Sequence, residues 1–253
     1  MSNYSLQYGI FASFYDKLMD DSPDYDGWTD FLKSVLDSHN VSERAQILDL
    51  ACGTGEFTNR LALLGYDMIG VDLSGEMLAL AREKASGLSR EPLFLEQDMR
   101  YLDLYGTVDA VVCCLDSINY LLTSRDLAMT FERVKLFLPS GAPFIFDVNT
   151  KYKFENELAQ NAYVYESDGV FCTWENFYNP KTSVCDFRLT FFEEGRDGKY
   201  RRYEENQKER MYTDKAIRAT LKKAGFSSVS VYGDLDFSPL EETSTRAFYI
   251  AIS

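Results

Sequence analysis

Residues 48–58 read LDLACGTGEFT. Apolar residues and one acid, Asp49, run into Ala51, Gly53 and Gly55 at alternate positions, and a helical apolar pattern starts directly afterwards. Glycine belongs where the backbone takes a positive φ or where a ligand lies against it. The stretch therefore reads as a strand, a tight turn and a helix whose free N–H groups face the crevice at the strand ends.

The same alternation extends on both sides. AQILDLA (45–51), YDMIGVDLS (66–74), PLFLEQDM (92–99), VDAVVCCLDSI (108–118) and APFIFDVNT (142–150) are apolar strands. EFTNRLALLG (56–65), GEMLALAREKASG (75–87) and DLAMTFERVKLFLPSG (126–141) are the helices between them, closed by Gly65, Gly87 and the Pro139–Gly141 pair. Apolar strands alternating with helices predict a mostly parallel sheet covered on both faces, an α/β doubly wound fold. Upstream, YGIFASFYDKLM (8–19) and SPDYDGWTDFLKSVLDSH (22–39) read as two helices.

After residue 150 the pattern changes. A short helix is expected over 151–159. The stretch that follows is rich in Tyr, Phe, Thr and Val and is punctuated by Ser-Asp-Gly, Asn-Pro-Lys-Thr and Gly-Arg-Asp-Gly. These turn signals predict an antiparallel meander of four strands. The helix DKAIRATLKKAG (214–225) and the strands FSSVSVYG (226–233) and STRAFYIAIS (244–253) then resume the first pattern. The expected organisation is one domain from 1–150 and 211–253, with a β-rich lid, 151–210, inserted between its halves.

Composition narrows the function. The 253-residue chain carries a formal charge of −14, whereas a nucleic-acid partner calls for a basic surface. Lys199, Arg201, Arg202, Lys208 and Arg210 are interrupted by Glu204, Glu205 and Glu209, which reads as a solvated strand face. No apolar run reaches the roughly 18 residues of a membrane span. The N-terminus lacks a signal-peptide pattern, so the cytoplasm is the expected location. Five cysteines without a CxxC pair read as reduced thiols, although Cys172 and Cys185 are placed where a hairpin would let them meet. One histidine and no cysteine cluster predict no metal site.

Three ligands compete for the glycine turn. A phosphate-binding loop would need a closing Lys and Ser/Thr, which are absent here. A dinucleotide fingerprint would need a third glycine where Thr58 stands, and Asp49 would repel a pyrophosphate. The same carboxylate suits the ammonium and sulfonium of S-adenosylmethionine, which has no phosphate. Asp72, at the end of the second strand, is placed to accept from ribose hydroxyls of either kind of nucleoside. Asp98 is placed to accept from the adenine amino group while the Met99 N–H meets a ring nitrogen. Leu73 and Met77 are placed to sandwich the ring.

In these residues the chain resembles the class I S-adenosylmethionine-dependent methyltransferases. ILDLACGTGEFT resembles their first motif, MIGVDLSGEMLALAREK their second and FLEQDMRYL their third. YGIFASFYDKLM, VVCCLDSINYLL and FIFDVNTKYKFE are similar to a bacterial group with an inserted β-rich lid, many of whose members have no assigned acceptor. The resemblance implies a seven-stranded Rossmann-like sheet. It implies that Asp49, Ala51, Gly53 and Gly55 hold the methionine part and Asp72 the ribose, with Leu73 and Met77 beside it. Gln97, Asp98 and Met99 would frame the adenine, Leu115 and Asn119 would line the methionyl side, and Tyr15, with Tyr8 nearby, would close over the cofactor. Ala51 replaces the motif's usual first glycine.

Methyl transfer from a sulfonium needs alignment and exclusion of water more than a strong base. Asp116, Asn119 and Tyr120, after the fourth strand, are the candidate catalytic residues, and Asp147 and Asn149 end the fifth. Trp174, Phe177, Tyr178 and Phe191 are available for an aromatic pocket wall, for packing of the meander or for a homodimer contact. A small-molecule acceptor is the leading expectation. RNA or protein methylation and a non-catalytic cofactor-binding subunit stand beside it, with an NAD-dependent oxidoreductase behind.

Overall fold

The computed structural model describes Ala12, Phe14 and residues 23–253. Tyr8 and Tyr15 lie outside the described residues. Eleven strands and five α-helices follow Pro23. The main sheet takes β1 (Gln46–Leu50), β2 (Asp67–Asp72), β3 (Leu93–Glu96), β4 (Ala110–Cys113), β5 (Pro143–Asn149), β10 (Ser228–Tyr232) and β11 (Arg246–Ile252). The helices are α1 (Tyr25–Ser38), α2 (Glu56–Leu63), α3 (Gly75–Ala85), α4 (Ser124–Phe137) and α5 (Asp214–Ala224).

The order across this sheet is β10-β11-β5-β4-β1-β2-β3. Strands β1 to β5 are parallel, β11 runs antiparallel to β5, and β10 antiparallel to β11. The fold is thus a Rossmann-like doubly wound sheet. Strand order reverses between β1 and β4, so the crevice where such sheets bind ligands opens at their C-terminal ends.

The central strands β1, β2, β4, β5 and β11 are buried on both faces because they are apolar at nearly every position. Leu48 and Leu50 of β1 join Phe131 and Val134 of α4 and Ile217 and Leu221 of α5 on one side. Ile47 joins Trp28, Phe31 and Leu32 of α1 and Phe57 and Leu61 of α2 on the other. Each such side chain contributes about 1.5–3 kcal/mol on burial. Helix starts follow the side-chain oxygens that precede them. Asp24 accepts from the Gly27 N–H (3.0 Å), Ser74 from Met77 and Thr213 from Ala216.

A second, antiparallel sheet is made of β6 (Ala162–Ser167), β7 (Val170–Asn179), β8 (Val184–Glu194) and β9 (Tyr200–Arg210), in that order. A single π-helical turn, Lys153–Leu158, leads into it, where the sequence predicts a short helix. The sheet's inward face is mainly apolar, with Cys172, Tyr178, Phe187, Leu189 and Phe191 buried and Phe14 stacked on Phe191 at 5.2 Å. Strand β9 corrects the sequence reading of a solvated face. Arg202, Glu204 and Lys208 are exposed, but Glu205, Gln207 and Glu209 alternate with them and are buried. All five cysteines are free thiols. In register Cys172 faces Phe191 and Cys185 faces Tyr178, so the two never oppose each other.

Candidate active site

The glycine turn is built on three successive left-handed positions, Ala51 (φ 61°), Gly53 (φ 55°) and Gly55 (φ 78°). A Cβ added to Gly53 would meet nothing within 4 Å, so that backbone stands open to the cavity above it. A Cβ on Gly55 would lie 2.9 Å from the Ala81 Cβ. Gly55 therefore lets α2 pack against α3, and it is not among the residues that line the cavity.

Asp49 is 1% exposed and accepts from the Thr58 hydroxyl at 2.6 Å. Burial pushes its pKa up to about 7, against the opposing Thr58 hydrogen bond and with help from the Asp72 charge. Asp72 accepts from the Gly53 N–H (2.8 Å) and the Ser74 N–H (2.9 Å). Burial raises its pKa too, opposed by those amides. Among the described residues neither acid is in an ion pair. Two acids beside an open turn, with hydroxyl and amide donors only, suit an adenosine derivative that carries positive charge and no phosphate.

Leu73, Met77, Gln97, Asp98, Met99 and Leu115 also line this cavity, whose volume is about 510 Å³. The Gln97 amide is committed to its own loop, accepting from the Asp103 N–H at 2.9 Å and donating to the Asp103 carbonyl at 3.0 Å. Asp98 differs from the free carboxylate expected. Burial would raise its pKa, but hydrogen bonds from the Arg100 guanidinium and N–H outweigh it and hold the carboxyl below the usual range. An Arg100–Asp98 ion pair thus frames this end of the cavity.

Beyond Leu115 the cavity runs beneath the second sheet. Leu115 (φ 57°) and Asp116 (φ 53°) are consecutive left-handed residues, a conformation that costs a non-glycine residue about 1–2 kcal/mol. The Asp116 N–H donates to Asp147 Oδ2 at 2.9 Å, and Arg246 bridges Asp116 (2.8 Å) and Asp147. That buried network holds the bend. Burial raises the Asp116 pKa, but the charges of Arg246 and Lys153 and a hydrogen bond from Glu209 hold it below the usual carboxylate range. Glu209 goes the other way. Burial and the Asp116 charge push it well above that range, opposed by the Asn149 hydrogen bond (2.9 Å). The two carboxyls thus shift in opposite directions, Glu209 up and Asp116 down.

Tyr120 lines the wall and donates to Gln207 Oε1 at 3.0 Å. Asn119 does not line it. The Asn119 amide donates to the Arg210 carbonyl (2.8 Å) and accepts from the Asn149 N–H (2.9 Å), so this fully buried residue ties β5 to β9. Of the lid aromatics, Trp174 reaches the cavity, joined by Tyr163, Tyr165 and Phe187. Phe177 is exposed, and Tyr178 and Phe191 pack within the lid. Asn176, Glu209, Lys153 and Arg246 line the cavity without having been singled out in the sequence. The alternation Glu205–Gln207–Glu209 and the Trp174–Asn176 pairing on one strand face were the available signals.

Comparison with known proteins agrees with this geometry. A methyltransferase domain family model matches residues 47–141. The chain is 35% identical over 245 residues to YqeM of Bacillus subtilis (strain 168), provisionally named a methyltransferase, covering 96% of each chain. It superimposes on the crystal structure of an S-adenosylmethionine-dependent methyltransferase from Clostridium acetobutylicum ATCC 824 with a TM-score of 0.86. That pair is 32% identical, covering 97% of this chain and 98% of the other. A glycine/sarcosine N-methyltransferase of Parasynechococcus marenigrum (strain WH8102) is 26% identical over 230 residues, covering 88% of this chain and 77% of that protein.

Proposed function

Because the chain belongs to the class I S-adenosylmethionine-dependent methyltransferases, we propose that it methylates a small molecule held between its two sheets. The observation that carries this reading is the cavity of about 510 Å³. Asp49, Asp72 and Asp116 of the main sheet wall one side, and Trp174, Phe187 and Glu209 of the lid wall the other. Folded RNA would need an open basic groove, whereas Arg202 and Lys208 of β9 point away from the cavity. The glycine/sarcosine relative, which spans most of this chain, is named for a small amine acceptor.

On this reading residues 151–210 form the roof, and 1–150 with 211–253 form the base. Asp49, Ala51 and Gly53 hold the methionine part with Leu115 lining that side, Asp72 holds the ribose, and Leu73, Met77, Gln97, Asp98 and Met99 surround the base. The bound cofactor supplies an electrophilic methyl whose C–S bond breaks with its electron pair going to sulfur, leaving a neutral thioether. The protein's part is to align and dry the site, and well-oriented reactants save about 7–11 kcal/mol of barrier. Asp116 orients the ammonium form of the acceptor, whose proton passes to solvent before the amine's lone pair meets the methyl. Glu209 hydrogen-bonds the Asp116 carboxylate and holds it in place. Tyr120 and Trp174 screen the reacting centre from water.

The test follows S-adenosylhomocysteine release when purified protein and methyl donor meet a fractionated small-metabolite extract or total RNA. Turnover with the small-metabolite fractions is expected. Turnover confined to RNA would overturn the reading.

A further inference from the structure

Asn176 sits on β7, faces the cavity and is 2% exposed. Neither its side-chain nitrogen nor its oxygen has a hydrogen-bond partner. Its backbone N–H is satisfied, donating to the Asn161 carbonyl at 2.9 Å. The other inward polar groups of this sheet are engaged. Gln207 donates to Glu205 (2.7 Å) and accepts from Tyr120, and Glu209 accepts from Asn149. Buried polar side chains are nearly always paired, and an orphan facing a cavity marks where a ligand group belongs.

The surroundings say what that group is. Asn176 lies opposite Phe187 in the β7–β8 register, and the rings of Trp174 and Phe187 meet edge-on at 5.7 Å. Tyr163 and Tyr165 extend this aromatic wall. A carboxylate only accepts and would leave the Asn176 oxygen unpaired. An ammonium only donates and would leave its nitrogen unpaired. A neutral group offering one donor and one acceptor side by side satisfies both. Of the cations that line this end, Arg246 bridges Asp116 and Asp147, and Lys153 donates to Asn149 at 2.9 Å.

We propose that the roofed half of the cavity takes an amine that also carries an uncharged donor–acceptor group, a carboxamide being the simplest, and that Asn176 reads that group. The inference rests on the small-molecule reading and deepens it. The amine lies toward Asp116 and Glu209, and the amide lies against Asn176 among the aromatic rings. Such an acceptor differs from a free amino acid, whose carboxylate leaves half of Asn176 unpaired.

The experiment titrates the protein saturated with S-adenosylhomocysteine, by calorimetry and ligand-observed NMR, with three sets that each share one side chain. These are glycinamide, glycine and methylamine; leucinamide, leucine and isoamylamine; phenylalaninamide, phenylalanine and phenethylamine. In at least one set the amide is expected to bind about tenfold more tightly than its two partners, the scale of a recovered pair of hydrogen bonds. N176L is expected to erase that difference while leaving S-adenosylhomocysteine affinity unchanged. Amino acids that bind as well as the amides, a preference that survives in N176L, or no binding in any set would each overturn the proposal. Turnover confined to RNA in the extract assay would instead overturn the small-molecule reading beneath it.

Discussion

Replacing Asp49 by asparagine should remove a pH dependence from cofactor binding. Burial holds the Asp49 pKa at about 7 in the ligand-free protein, yet the ammonium it would receive needs it ionised. About one molecule in ten is ionised at pH 6, half at pH 7 and ten in eleven at pH 8. Binding at pH 6 must therefore expel about 0.9 of a proton, at a cost of about 1.4 kcal/mol per pH unit. The apparent Kd for S-adenosylhomocysteine should rise about tenfold per unit below pH 7 and level off above pH 8. Calorimetry in buffers of different ionisation enthalpy measures both affinity and proton release. D49N should weaken binding by about 1.5–3 kcal/mol at pH 8, the scale of a charge-assisted hydrogen bond, and release no proton at pH 6. An affinity flat from pH 6 to 8 in the wild type, or an unchanged slope in D49N, would refute the reasoning. The sign reverses for folding. A raised carboxylate pKa favours the folded state at low pH, so Asp49's contribution to ligand-free stability is lost as pH rises from about 4 through 7.

Three further outcomes follow from the same contacts. Asp72→Ala should weaken S-adenosylhomocysteine binding by about 1–3 kcal/mol, because the Gly53 and Ser74 amides lose their acceptor together with the ribose, and unchanged affinity would remove Asp72 from the site. Glu209 has a raised pKa, so its ionisation destabilises the fold; Glu209→Gln should lessen the loss of thermal midpoint between pH 5 and pH 9, measured by circular dichroism. Asn176→Leu should stabilise the ligand-free protein by about 1–3 kcal/mol in urea unfolding, since it removes a buried unpaired amide; marked destabilisation would mean that the amide has a partner.

The main sheet was legible because its strands are apolar throughout and its glycines punctuate them at regular intervals, so local sequence and global fold agree. The same clarity placed Asp49, Gly53 and Asp72, which sit at strand ends and need no knowledge of the lid. Gly55 shows the limit of that reading. A motif glycine was expected to approach ligand, whereas this one makes room for Ala81. The bonds of Asn119 to the Arg210 carbonyl and the Asn149 N–H were not legible, because a position after β4 fits equally a residue facing the cavity and one bonded beneath it to β9. The lid's meander was legible from its turns, but alternation along a strand does not say which face looks inward. Glu205 and Glu209 therefore read as solvated, when the solvent takes Arg202, Glu204 and Lys208 instead. Arg246 carried no local signal, since its role comes from β11 pairing with β5 and bringing it beside Asp116 and Asp147.

The most direct measurement is an electron-density map of crystals grown with S-adenosylhomocysteine. The expected map has the ligand's ammonium on the Asp49 carboxylate, its ribose hydroxyls on Asp72, and open space between its sulfur and Asp116. A ligand whose amine and ribose lie away from both acids, or whose sulfur faces away from the lid, would contradict the account.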